Sequence, residues 1–95
     1  MNSIEELKNK LKQEGYIHIY EWTDKAGAKY LKHAHKGEVT FYVYKGDLTM
    51  DFEGGSSVTL REGDKFDVPR WINHTAVVGK NGCTFVVGEK IEGDS

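Results

Sequence analysis

Ninety-five residues give room for one domain with a modest core and no second module. A formal net charge of -2, with 13 Lys and Arg against 15 Asp and Glu, leaves no basic cluster to follow a phosphate backbone, which argues against nucleic acid as a partner. The single cysteine, Cys83, excludes an internal disulfide, the charged start "MNSIEELKNK" is no signal peptide, and no apolar run reaches membrane-spanning length, so a cytoplasmic domain with no membrane partner is expected.

The chain opens on one helix. Ser3 and Glu6 form a capping-box pattern, Ile4, Leu7 and Leu11 recur at helical spacing, and Gly15 supplies the stop. Its single apolar stripe suits a helix lying on a sheet, so residues 1–15 are read as a helix packed on a β domain of residues 16–91, with 92–95 as a tail. From Tyr16 the pattern predicts strands near 16–22, 27–34, 39–45, 47–53, 57–61, 65–69, 73–79 and 83–90. The turns "KGD" (45–47), "EGG" (53–55), "REGD" (61–64) and "GKNG" (79–82) separate the later ones. Alternation places Val39, Phe41 and Val43 on one face, and likewise Leu48, Met50 and Phe52, Val58 and Leu60, and Phe66 and Val68. Short antiparallel strands with one apolar face each fit an all-β closed sandwich or barrel. Thr40, Tyr42 and Tyr44 share the opposite face, which is either plain amphipathic surface or a face covered by the helix or a second subunit.

The chemistry concentrates in "HAHKGE", residues 33–38. On a strand His33 and His35 point the same way and can grip one ion together, whereas Glu38, an odd number of places on, points away. A third histidine, His74, follows "GDKFDVPRWINH", in which Pro69 marks a strand end before the chain re-enters the sheet. His18, between Ile17 and Ile19, reads as a strand residue with no chemistry. Cys83 reads as a small core filler.

"HAHKGEVTFYVYKG" (33–46) and "GDKFDVPRWINHTAVV" (63–78) resemble the two motifs of the cupins, and the likeness extends over about residues 16–90. It implies a cupin jelly-roll, or double-stranded β-helix, barrel with one N-terminal α-helix. It also implies one mononuclear metal (Fe, Mn, Ni, Zn or Cu) held by His33, His35 and His74, with positions left open for a small-molecule substrate. Three departures stand out: Val39 occupies the family's glutamate position, Trp71 a glycine position and Val78 an asparagine position. With Val39 there, the site carries one more positive charge and favours an anionic chelating substrate. Three readings stay open: a three-histidine metal site, a site that recruits Glu38 through a bulge, and an empty pocket with satisfied histidines. Phe41, Met50, Phe66 and Phe85 are expected in the pocket wall, with Trp71 narrowing its rim. No second catalytic acid or base can be named. The resemblance implies a small-molecule enzyme, of dioxygenase type with isomerisation or lyase chemistry left open, or a non-enzymatic ligand-binding or sensing module. It also implies a homodimer through sheet edges or the tyrosine face.

Overall fold

The computed structural model describes residues 3–34 and 36–90. His35 and the expected tail lie outside the described residues. The helix α1, Ile4–Gln13, begins with both bonds of the capping box: the Ser3 hydroxyl accepts from the Glu6 amide, and the Glu6 carboxylate accepts from the Ser3 amide. These bonds hold the Glu6 carboxyl below its ordinary value. At the other end Gly15, at φ 94°, lets the Gly15 and Tyr16 amides fold back onto the carbonyls of Lys12 and Leu11. That is the Schellman closure, which needs the left-handed conformation glycine adopts without penalty.

Six strands follow: β1 (His18–Asp24), β2 (Lys29–His33), β3 (Val39–Phe52), β4 (Ser57–Arg61), β5 (Lys65–Val68) and β6 (His74–Glu89). The expected eight become six because "KGD" and "GKNG" do not end their strands. β3 and β6 run antiparallel along their whole length, from Val39 opposite Glu89 to Phe52 opposite His74. The register slips between Val43 and Lys45 and between Gly46 and Leu48, so the inward face passes from odd residues (Val39, Phe41, Val43) to even ones (Leu48, Met50, Phe52) within one bent strand. Each long strand thereby serves two layers. The first half of β3 and the second half of β6 lie between β5 and β1; the remaining halves lie between β4 and β2. Between the layers sit Val39, Val43, Leu48, Met50, Leu60, Val68, Val78, Phe85 and Val87.

The outer face of the first layer is covered by the chain itself. Leu7 and Leu11 of α1 pack with Tyr16 and Val86, and Ile19, Tyr42 and Tyr44 lean on the same cluster. The tyrosine face is therefore the seat of the helix. A Cβ on Gly88 would lie 3.0–3.2 Å from Tyr16 and Leu11, so the helix rests directly on β6 backbone. Among the described residues no helix is long and apolar enough to cross a membrane.

Candidate functional site

Between the two layers lies a cavity of about 310 Å³. Val39, Phe41, Phe85 and Val87 wall it from the first layer, and Leu48, Met50 and Ala76 from the second. Phe41 and Phe85 meet edge to face at 5.5 Å, the arrangement ring quadrupoles favour. Phe66, expected in this wall, instead packs 5.9 Å from Phe52 and does not line the cavity. Trp71 is 70% exposed and not part of the wall; the indole that lines it is Trp22, itself 53% exposed. The Trp22 indole N–H donates to Asp24 at 3.0 Å, and the Tyr30 hydroxyl donates to the other oxygen of the same carboxylate. Burial and that bond raise the Tyr30 phenol above its ordinary range.

The structure brings His33 and His74 together. They are cross-strand partners on β2 and β6, their ring centroids are 4.5 Å apart, and both line the cavity. His33 Nδ1 is 2.7 Å from the Leu31 carbonyl, and His74 Nδ1 is 3.3 Å from the Ile72 carbonyl. A carbonyl only accepts, so each Nδ1 carries a proton, and in the neutral imidazole the lone pair is then on Nε2. That is the tautomer a metal-ligating histidine needs, with its orientation fixed by the backbone. Among the described residues no group of three or more His, Cys, Asp or Glu side chains is placed to hold one ion. Of the three histidines in the two motifs, His33 and His74 are the ones brought together among the described residues.

Glu38 stays outside. Its carboxylate lies 3.1 Å from the Lys90 ammonium, its side chain is 55% exposed, and it does not line the cavity. Val39, one place on, is buried in the wall. Strand parity alone separates these neighbours.

The sequence reading missed Glu89. This residue ends β6, is 0% exposed and lines the cavity. It sits in a cross-strand row, with His18 opposite on one side and Val39 on the other. His18 Nδ1 is 2.9 Å from Oε1, and the Tyr20 hydroxyl donates to Oε2 at 3.3 Å. His18, expected to be chemically idle, is the partner of a buried carboxylate. The cavity is therefore not one charge more positive for having Val39 in its wall, because a carboxylate stands one strand away. The signal was parity: Glu89 continues the inward series Phe85 and Val87.

Two further sequence features resolve simply. Burial pushes the Cys83 thiol up to about 11, with the Asp47 and Asp24 charges adding to it, so Cys83 is an inert core residue. Trp71 sits at φ 64°, the left-handed region, where the motif it resembles has glycine. A non-glycine residue there costs about 1–2 kcal/mol, against roughly 0.5–1 kcal/mol of extra chain entropy that glycine loses on folding. Trp71→Gly is expected to stabilise the protein by about 0.5–1 kcal/mol, a rise of roughly 3–6 °C in Tm. Thermal unfolding followed by circular dichroism checks this. A fall would show that the exposed indole makes a contact worth more than the strain.

Comparison with known proteins agrees with this architecture. The family profile described as "Cupin domain" matches residues 20–87. The chain belongs to the cupin family. Among solved structures, an RmlC-like cupin from Shewanella frigidimarina is 25% identical with a TM-score of 0.69, over 84% of this chain and 71% of that one. A protein from Neisseria meningitidis is 28% identical with a TM-score of 0.66, over 83% of this chain and 94% of the other. KdgF from a Halomonas species shares the fold at 22% identity and a TM-score of 0.70, over 84% and 74% of the two chains. No curated protein matches the sequence.

Proposed function

We propose that this cupin holds one divalent transition metal (Fe, Mn, Ni, Zn or Cu) through His33, His35 and His74, and acts there on a small, mainly apolar molecule. The observation that carries this reading is the pair His33 and His74: two rings in one cavity, each turned by a backbone carbonyl so that Nε2 carries the lone pair. Held by these three histidines, an ion would leave positions for substrate and oxygen and would supply oxygen-dependent oxidation of dioxygenase type. The chain's own contribution is shape and dryness. Phe41, Phe85 and Met50 would hold an apolar body between the layers, and Val39 adds to the apolar wall.

Metal content by elemental mass spectrometry tests the proposal. Wild-type protein is expected to carry about one ion per chain, the level at which a single mononuclear site fills. The ion should be lost in His74→Ala and kept in Glu38→Ala, with circular dichroism confirming that both variants fold. A metal-free wild type, even after reconstitution, sinks this reading.

A second reading has its own support, since most of the cavity's lining is apolar or aromatic. In it the protein binds a small ligand without turning it over, and stabilisation by that ligand survives chelation.

A further inference from the structure

Among the described residues Glu89 is the one acidic side chain in the cavity wall, and its carboxylate is buried. Burying a carboxylate is costly, and an apolar residue of similar size would commonly serve stability as well or better. Its two partners both come from β1: His18, whose side chain is 41% exposed, and Tyr20. An ionised carboxylate has about four acceptor positions, and His18 and Tyr20 occupy one on each oxygen. Acceptor capacity remains on a group that lines the wall with Tyr20, Val39, Phe41 and Val87.

We infer that Glu89 orients the cavity's ligand by accepting a hydrogen bond from a hydroxyl group on a small aromatic or alicyclic molecule, with His18 as its positioning residue. A cavity of about 310 Å³ admits a substituted single ring, since about 150 Å³ already holds benzene. The carboxylate repels an anionic group at this end, which reverses the preference for anions that Val39 alone suggests. An ammonium must shed a strong hydration shell to enter, whereas a hydroxyl loses little and regains a charge-assisted bond. The inference rests on the cavity as a small-molecule site and not on the metal.

The test uses phenol and toluene, near-isosteres that differ by hydroxyl against methyl, titrated calorimetrically into chelator-treated full-length protein. The phenol-to-toluene affinity ratio is expected to fall at least about tenfold from wild type to Glu89→Leu, the range for losing a hydrogen bond to a charged acceptor. Toluene binding should persist. His18→Ala should lower the ratio part of the way, leaving toluene unchanged, which a purely structural role would not do. Glu89→Gln keeps the shape without the charge and decides the matter if the leucine variant does not fold; its ratio should also drop. An unchanged ratio in the Glu89 variants overturns the inference, as does a wild type that binds neither probe. Because metal is absent throughout, neither outcome bears on the three-histidine site.

Discussion

Gly46→Ala is expected to remove most or all of the folded population. Gly46 lies where β3 and β6 bend across each other, opposite Cys83, at φ 84°. A Cβ there would be 2.0 Å from the Gly82 carbonyl oxygen, 2.8 Å from its carbon and 2.9 Å from the Cys83 Cα. All three atoms are backbone, so no rotamer change relieves the clash. The ladder that joins both layers has to open at its crossing. We expect a loss above about 4 kcal/mol, the exceptional end of single-substitution effects, from a total of roughly 5–14 kcal/mol for a domain of this size. Gly63→Ala separates strain from clash. Gly63 also has positive φ, 91°, but open space where its Cβ would stand, so only the left-handed penalty of about 1–2 kcal/mol applies. Urea unfolding of both variants is the measurement. Equal losses would mean the crossing is more pliant than its geometry says.

The same crossing explains which parts of the fold could be read in the sequence. Alternation within each segment was legible, because an apolar series such as Leu48, Met50 and Phe52 has only one face to bury. The joins were not. "KGD" and "GKNG" carry turn chemistry, yet here glycine allows close approach of two strands rather than reversal. The shift of the inward face from odd to even residues across Gly46 was visible and implies an extra residue in a continuous strand as readily as a turn. Nothing local distinguishes the two, since the decision rests on β6 pairing with both halves. The helix was clear at both ends because its caps are local. Its seat on Tyr42, Tyr44 and Val86 required knowing that these residues share one outer face.

The site was legible where it is a motif and silent where it is a register. His33 and His74 are neighbours as the resemblance to the two cupin motifs implied, and Glu38 points away as parity requires. Trp71 misled because bulk was taken to mean obstruction. Its backbone keeps the left-handed conformation of a glycine position, which sends the indole to solvent and leaves Trp22 to line the cavity. Glu89 belongs to no motif. It enters the site through pairings to residues 71 and 50 places earlier in the chain, His18 and Val39.

That pairing makes Val39→Glu the most informative substitution in the cavity. It restores a carboxylate at the family's position, but directly opposite Glu89, on the same inward face. Like charges at facing positions of a sheet destabilise, and here both are buried. Metal-free Val39→Glu is expected to lose about 3–5 kcal/mol near neutral pH, the cost of an uncompensated buried charge, lowering Tm by on the order of 20 °C. The loss should shrink on acidification, because a single shared proton removes the repulsion. Adding Glu89→Val should recover a large part of it, with a coupling of about 1–3 kcal/mol in the double-mutant cycle, although His18 and Tyr20 then lose their acceptor. A metal bound by the histidines would counter the paired charges, so it should stabilise Val39→Glu more than wild type. Unimpaired stability without metal would mean that positions 39 and 89 do not share the cavity face. Valine at position 39 and glutamate at position 89 face each other across β3 and β6, so the described wall carries its carboxylate on β6, beside His18.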